Sequence, residues 1–452
     1  MLPGLDESKT FCQDRIVKAS LRPAIGFLVV LATVGAIVLL VTRSSPQPPR
    51  TTKPAGAELA SNHPSEAVLA NPSLRTTPTK TSGPRQIPQQ QANSTNAPLI
   101  SRLLDTSLAL KARRQAAREL ARIGSDEAIS ALTNALAQGP PYLKAAIAEA
   151  LAESPHPAAK DLVLGVLNGS DETAARGAIR GLGLRGDAAS AQVLEQTLFD
   201  PDKPESLRTE AALAIGDIRQ PSAMDTLTRA INELQDDTIA ENVLHAVGKR
   251  PFTETEGFFR AYLESPSPSP ELKAAALESL NSAEGDPSKF LLGYTRDTDP
   301  QLRAAAAWAL VGADSTQDLA PQLIESIKSE PEAEIRARLY QALANQNTVD
   351  TAAVLDLAQK ESDPSARLAG LNALAAACRS HPNPELSAYF NQNAVPELTK
   401  DALNGGDSQT RLGSVIALRR AGTSEADAAL AQIAAQSNDP RVVEATRIRA
   451  RR

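Results

Sequence analysis

The chain has 452 residues, a formal net charge of −6 and only 3% aromatic residues, with four histidines and two cysteines. So few histidines and cysteines leave little material for metal or nucleophilic chemistry. Residues 99–452 hold 37 Lys or Arg against 48 Asp or Glu. Nucleic acid is therefore an unlikely main partner, because phosphate backbones require concentrated positive charge.

An uncharged run of 20 residues lies between Arg22 and Arg43 and contains IGFLVVLATVGAIVLLV. Roughly 20 residues at 1.5 Å each span a ~30 Å hydrocarbon core, so 23–42 is predicted to be a transmembrane helix after a short tail, 1–22. A cleaved signal peptide or a buried helix is the alternative. The 22-residue leader is long for a signal peptide, and no small-x-small cleavage motif directly follows the run.

The basic residues on the two sides of this run weakly favour one direction of crossing the membrane. Four basic residues precede it and three follow within a similar distance, namely Lys9, Arg15, Lys18 and Arg22 against Arg43, Arg50 and Lys53. By the positive-inside rule the N-terminus is predicted to be cytoplasmic. We therefore expect a single-pass protein of a bacterial inner (cell) membrane, with residues beyond the span in the periplasm.

Residues 43–98 are rich in Pro, Ser, Thr and Gln, with ten prolines from Ser44 to Pro98. Such a segment cannot bury enough apolar surface to offset its ordering entropy, so a disordered linker with a reach of roughly 40 Å is predicted. Cys12 and Cys378 would lie on opposite sides of the membrane, which excludes a disulfide within one chain in that topology. Cys378 follows NALAAA and is predicted to be a small buried residue on a helix.

A short pattern recurs through 99–452, as in DPQLRAAAAWALVG (299–312), DPSARLAGLNAL (363–374) and DSQTRLGSVIAL (407–418). The last large apolar residue of each copy serves as a marker. The markers are Leu120, Leu151, Leu182, Ile215, Val247, Leu280, Leu310, Leu343, Leu374 and Leu418. Their spacing is 30 to 33 residues except for a last step of 44, which indicates stacked repeats rather than unrelated domains.

Each copy predicts two helices. An Asp or Ser caps the first helix, Pro sits in its first turn, and alanines let neighbouring helices approach closely. Glycines are expected in the turns that follow, at Gly124, Gly186, Gly216 and Gly312. Because neither helix could bury its apolar side alone, we predict an all-α fold, an α-solenoid of about ten two-helix repeats.

The pattern resembles the HEAT-repeat family, and its short form is most similar to the HEAT-like repeats named after phycobilisome lyases. The resemblance implies that the recurrent Asp and Arg form ladders between neighbouring repeats. Asp299 with Arg303, and Asp363 with Arg367, stand at those positions, whereas Lys273 replaces Arg in another copy. The shared residues serve packing and capping, so the resemblance indicates little about function.

The step of 44 holds about twelve extra residues within 379–400. We expect a lengthened turn there, in which Tyr389 and Phe390 either pack onto the core or contact a partner. Seven of the twelve aromatic residues of 99–452 fall in 252–308. Most have the helical spacing of core residues, but exposed on one face they would form a protein-binding hot spot. The candidate partner-binding residues are Trp308, Phe258, Tyr262, Tyr294, Tyr389 and Phe390.

Trp308 stands two residues before its marker. The counterparts in other copies are Leu213, Glu278, Gln341, Asn372 and Ile416. This mixture of polar and apolar residues predicts a position at the edge of the core, where a tryptophan is partly exposed.

No phosphate-binding glycine loop, HExxH, paired CxxC or GxSxG motif occurs, and the four histidines are far apart. Glu149, Glu153 and Glu241 are expected on solvated faces. We therefore predict no catalytic residue, cofactor or metal, and a membrane-anchored scaffold or protein-interaction module with unidentified protein partners. The alternatives are an enzyme similar to bilin lyases or isomerases, which share this repeat type, and an adaptor for a small ligand or peptide.

Overall fold

The structure, a computed structural model, describes residues 89–312 and 318–447, with side chains from residue 96 onward. The predicted tail 1–22, the predicted span 23–42 and the linker as far as residue 88 lie outside the described residues. Residues 89–98, which were predicted to belong to the disordered linker, lie instead in a helix, Gln89–Leu104. Within the described residues, no helix is long and apolar enough to cross a membrane.

The described chain is a succession of helices arranged in two layers. After α1 (Gln89–Leu104), the first helices of the repeats are α2 (Leu110–Ile123), α4 (Pro141–Glu153), α6 (Glu172–Arg185), α8 (Glu205–Asp217), α10 (Asp237–Gly248), α12 (Pro270–Ser279), α14 (Pro300–Gly312), α16 (Ala333–Leu343), α18 (Pro364–Ser380), α21 (Ser408–Ala421) and α23 (Pro440–Arg447). The second helices are α3 (Asp126–Gln138), α5 (Pro157–Leu167), α7 (Ala188–Phe199), α9 (Pro221–Glu233), α11 (Phe252–Glu264), α13 (Ser288–Tyr294), α15 (Ala320–Ser329), α17 (Thr351–Lys360), α19 (Pro384–Tyr389), α20 (Val395–Asn404) and α22 (Ser424–Gln436).

The predicted repeat is confirmed. All ten marker residues are buried, and each lies in a first helix or, for Leu280, in the 3₁₀ turn that continues α12. Each first helix from α2 to α21 packs against the next first helix, and the second helices pack against the first helix that follows them. The fold is an all-α solenoid with a continuous core of alanine, leucine, isoleucine and valine.

Small residues bring the backbones of neighbouring first helices together. A Cβ placed on Gly177 would stand 2.0 Å from the carbonyl oxygen of Ala145 in α4, and one on Gly181 would stand 2.3 Å from that of Glu149. No real side chain tolerates such distances, so α4 and α6 meet at positions that only glycine can occupy. The predicted close approach through small residues is confirmed.

Two of the four predicted turn glycines have another role. Gly124 and Gly186 end their helices with φ of 59° and 62°, in the left-handed region that favours glycine. Gly216, however, lies inside α8, where an added Cβ would come within 2.8 Å of Ala246. Gly312 is the last residue of α14 and lies against Asn281. These two positions permit close packing between helices rather than a turn.

The recurrent arginine pairs with an acidic residue within or directly after the second helix that follows it, and in three copies this residue is a glutamate rather than the recurrent aspartate. The Nε of Arg303 donates to Oε2 of Glu330 at 2.8 Å, and the Nε of Arg336 donates to Oε2 of Glu361 at 2.8 Å. Arg367 pairs in the same way with Glu397 at 2.8 Å. Glu330 and Glu361 directly follow the second helices α15 and α17 and precede the next first helix, whereas Glu397 lies inside the second helix that spans 384–404. The ladder expected from the resemblance thus uses glutamate in these three copies, and Asp299 and Asp363 form no ion pair with a recurrent arginine of the described chain. Aspartate does take the expected place in the last step, where Arg411 lies 3.2 Å from Asp439 of the next copy.

The aspartates cap helices instead. Asp299 accepts from the backbone N–H of Gln301 at 2.8 Å, and Asp363 accepts from two N–H groups in the first turn of α18. In these copies the aspartate caps its own first helix, whereas the arginine binds a carboxylate within or directly after the second helix.

The extra residues of the long step lengthen helices and do not form the expected long turn. The first helix α18 runs for 17 residues, and residues 384–404 form one uninterrupted second helix that contains a π turn at Phe390–Ala394. Pro396 lies just beyond this turn and has no N–H to continue the hydrogen-bond ladder. The wider turn before it lets the helix continue.

Gly177→Ala is expected to destabilise the protein by about 1–3 kcal/mol, because its methyl group must displace the backbone of α4. The matched control is Gly165→Ala in α5, where an added Cβ meets nothing within 4 Å. Helix propensity then predicts a gain of up to about 1 kcal/mol. Urea unfolding followed by circular dichroism measures both. A Gly177→Ala variant as stable as the control would contradict the close approach of α4 and α6.

Arg336→Met is expected to cost about 3 kcal/mol at neutral pH, since it leaves the carboxylate of Glu361 buried without its partner. The hydrogen bond from Arg336 lowers the pKa of Glu361, against the opposing effect of burial. The Arg336–Glu361 pair therefore stabilises the fold at pH values above the ordinary pKa of glutamate. This contribution is lost as the pH falls through the lowered pKa of Glu361.

Urea midpoints measured between pH 7 and pH 4 should accordingly show the gap between wild type and Arg336→Met narrowing on the acidic side. Arg260→Met is the control, because Arg260 and Glu256 form an exposed pair within one helix that contributes roughly 0.3–0.5 kcal/mol. A gap that is constant over this range would show that Glu361 carries no charge-dependent stability.

Candidate functional site

The residues two positions before each marker form a line across the first helices, here called the first-helix stripe. It consists of Arg118, Glu149, Arg180, Leu213, His245, Glu278, Trp308, Gln341, Asn372 and Ile416. Because the first helices stack side by side in register, consecutive members are neighbours. Arg118 and Arg180, for example, both reach the carboxylate of Glu149 between them, at 2.6 and 3.6 Å.

The N-terminal part of the stripe is closed by ion pairs. Arg118, Glu149 and Arg180 pair in sequence, and Arg180 continues to Glu210 of α8 at 3.3 Å. Glu149 is 5% exposed, so the expectation that it sits on a solvated face was wrong. The glycine and alanine contacts on both sides of α4 bring its neighbours close enough to cover Glu149, and the two arginines then supply its counter-charges. The charged side chains of this part of the stripe therefore form ion pairs with one another.

The C-terminal part of the stripe is open. The side chains of Glu278, Trp308, Gln341 and Asn372 form no hydrogen bond or ion pair with the described parts of the chain. Glu278 and Gln341 are exposed, Trp308 is half-buried against the core, and Oδ1 of Asn372 is buried without a hydrogen-bond partner. We call these four residues the open stripe. The predicted partial exposure of Trp308 at the edge of the core is confirmed.

The open stripe carries an acidic end. Partial burial raises the pKa of Glu278, the charge of Arg338 opposes the shift, and Glu241 adds to it. The Nη1 of Arg338 donates to the carbonyl of Ala304 at 3.1 Å, beneath the edge of α14. Glu278 therefore lies on the first helix next to that of Trp308, close enough to Glu241 and Arg338 for both charges to act on it.

The other aromatics of 252–308 belong to the second-helix layer and contact one another. Phe258 stacks on Tyr262 with centroids 5.8 Å apart, and Phe290 lies 5.3 Å from Tyr294. Burial raises the pKa of Tyr262 to about 12 and that of Tyr294 in the same direction. The structure thus separates Phe258, Tyr262 and Tyr294 from Trp308, which lies on the first-helix side.

Tyr389 and Phe390, the candidates in the long step, have different environments. Phe390 is fully buried in the core, so its side chain offers no surface to a partner. Tyr389 is half-buried, and its hydroxyl interacts with the Arg367 guanidinium of the repeat ladder. Neither residue belongs to the open stripe.

Side chains suited to chemistry are isolated in this part of the chain. Among the described residues, no group of His, Cys, Asp and Glu is arranged to hold a metal ion. Cys378 is buried and free, and burial raises the pKa of its thiol to about 11. His156 caps α5 by accepting from the N–H of Ala158, and its other ring nitrogen lies 3.0 Å from Asp126.

Two layers of paired helices with a repeating ladder define a helical-repeat solenoid. Four overlapping stretches match the family described as HEAT repeats, at residues 95–176, 162–248, 255–344 and 288–375. Together they span more than half of the 452 residues. The chain belongs to the HEAT-repeat family. No curated protein matches it.

Several solved structures share the helical architecture at low identity. Human deoxyhypusine hydroxylase in complex with glycerol is 19% identical with a TM-score of 0.23, over 74% of this chain and 97% of that one. Kap121p is 15% identical with a TM-score of 0.38, over 79% of this chain and 45% of its own length. A homology model of the full-length AP-3 complex is 11% identical with a TM-score of 0.33, over 78% of this chain and 90% of that one. The chain thus spans less than half of Kap121p.

Trp308 is the only tryptophan of the chain and therefore reports directly on the open stripe. We expect its emission to be intermediate between buried and fully hydrated tryptophan, and acrylamide to quench it partially, because one side packs on the core and the other faces solvent. Measurements on the folded and urea-unfolded full chain provide the two references. Quenching as strong as in the unfolded chain, or none at all, would contradict the half-buried position.

Proposed function

We propose that the protein is a membrane-anchored, non-catalytic scaffold that binds an extended segment of a protein partner along the open stripe. The observation that carries the proposal is the change along the first-helix stripe. Its N-terminal residues pair with one another, whereas Glu278, Trp308, Gln341 and Asn372 have no partner in the described chain. The Oδ1 of Asn372 is buried and unpaired, which costs free energy unless a ligand satisfies it, and the exposed side chains of Glu278 and Gln341 are free to bind the same ligand.

The spacing of the stripe suits an extended backbone. Neighbouring packed helices lie about 8–10 Å apart, a distance that an extended chain covers in about three residues. The amides of Gln341 and Asn372 can each donate to a partner carbonyl and accept from a partner N–H. Trp308 offers a flat apolar surface between them and Glu278, and tryptophan is enriched among the residues that dominate binding energy.

Charge favours a partner segment with a basic residue at the Glu278 end. Glu278 and Glu241 lie near one another, and a partner cation would stabilise the ionised carboxylate of Glu278, which desolvation and Glu241 disfavour. The phycobilisome-lyase-like form of the repeat adds no catalytic group to this surface, since its shared residues cap and pack.

The anchor remains part of the proposal. The uncharged run 23–42 and the Pro-rich segment to residue 88 would confine the solenoid to the periplasmic surface of a bacterial inner membrane. Confinement near a surface raises the effective concentration for a partner that is also held there.

We expect the double variant Trp308→Ala with Gln341→Ala to lose its specific neighbours when the full-length protein, fused to a proximity-labelling enzyme, is expressed in its native membrane. Tyr262→Ala is the control, because Tyr262 is a half-buried aromatic on the second-helix layer. Labelling of the same proteins by wild type and both variants would contradict the assignment of the open stripe. Labelling of no specific protein by wild type would contradict the scaffold function itself.

A further inference from the structure

The N-terminal end of the solenoid has a different surface from its interior repeats. The interior helix α4 buries nine of its thirteen residues, because helices cover it on both sides. Helix α2, the first of its layer, buries four of fourteen. The exposed residues of α2 therefore form a terminal face whose chemistry packing does not dictate.

This face is basic. Lys111, Arg114, Arg118 and Arg122 follow one another at steps of three, four and four residues, which places them on one side of α2. All four are exposed. Arg118 is paired with Glu149, whereas Lys111, Arg114 and Arg122 have no ion pair with the described parts of the chain. Three uncompensated positive charges thus lie on one helix.

Apolar residues adjoin these charges. Seven large hydrophobic side chains are exposed among the described residues, and four of them fall within 104–123. Leu104 is 52% exposed, and Leu108, Leu110 and Ile123 are each 38% exposed. Leucines exposed beside lysine and arginine form the composition that binds at the interface of an anionic membrane.

The N-terminal end of the solenoid carries a net positive charge, whereas the rest of the solenoid carries a net negative charge. Residues 99–124 hold six Lys or Arg against two Asp or Glu, whereas residues 125–452 hold 31 against 46. Facing a negative surface, the N-terminal end is attracted and the remainder is repelled. These two forces together select one orientation, with the end on the surface and the repeats directed away from it.

We propose that the exposed face of α2, with Leu104, Leu108 and Leu110, docks on the anionic phospholipid bilayer. This proposal rests on the proposed function, because the predicted span 23–42 precedes this end and the composition of the intervening segment predicts a reach of roughly 40 Å. The face then holds the first repeat against lipid headgroups. The open stripe begins several repeats further along, so docking leaves it accessible to a partner.

The test uses the full chain reconstituted in vesicles of phosphatidylcholine alone or mixed with phosphatidylglycerol. A Leu110→Cys substitution in a Cys12→Ser background places one accessible thiol on the face, while Cys378 stays buried. A water-soluble maleimide should label this thiol more slowly in vesicles with phosphatidylglycerol than in phosphatidylcholine alone. High salt should remove the difference, because it screens the attraction.

Adding Lys111→Gln, Arg114→Gln and Arg122→Gln should weaken docking on the order of 100-fold, at roughly a factor of five per basic residue. The labelling rate then returns to its value in phosphatidylcholine. The matched control is Lys160→Gln, Lys289→Gln and Lys400→Gln, which removes the same charge from exposed, unpaired positions on three second helices. The control should label like the parent. Circular dichroism verifies that both triple variants are folded.

Equal labelling in the two vesicles would overturn the proposal. Slow labelling already in detergent would also overturn it, since the chain itself would then cover the face. The partner assay is independent, because the triple variant keeps the open stripe. If the face docks on anionic vesicles but proximity labelling finds no specific partner, the scaffold function is contradicted. If proximity labelling finds partners but the face does not dock on anionic vesicles, the membrane face is contradicted.

Discussion

The backbone contact between successive first helices is the constraint on which the rest of the structure depends. Gly177 and Gly181 of α6 meet the carbonyls of α4 at distances that exclude any side chain, and Gly248 meets Ser279 in the same way. Because neighbouring first helices lie so close together, only a narrow strip along each of them remains exposed. The residues along that strip are therefore brought into line, and the first-helix stripe is a direct consequence of the packing.

Charge divides that line into parts with different roles. Near the N-terminus, alternating arginines and glutamates satisfy one another through Glu149 and hold three repeats together. Beyond His245 the alternation stops, and a tryptophan and two amides occupy the same register without partners. The repeat ladder of Arg303, Arg336 and Arg367 keeps this part rigid from the other end of each helix. A rigid surface with unsatisfied polar groups is suited to binding.

Periodicity made the architecture predictable, because capping, small residues and markers recur at fixed intervals and each has a local physical cause. Trp308 could be placed from its counterparts for the same reason. Tertiary features were not predictable in this way. Glu149 carries no local sign that two neighbours bury it, and Glu330 and Glu361 lie outside the motif that contains their arginines. The π turn depends on Pro396 being accommodated in a helix, whereas sequence patterns assign such a proline to a turn.

The most direct test of the scaffold account is site-specific photo-crosslinking from the full-length protein in its native membrane. A photo-reactive residue would replace Gln341 on the open stripe or, in a second protein, the exposed Ala261 on α11. The account predicts a discrete crosslinked partner from position 341 and none from position 261. The same crosslinks from both positions, or crosslinks from position 261 alone, would contradict it.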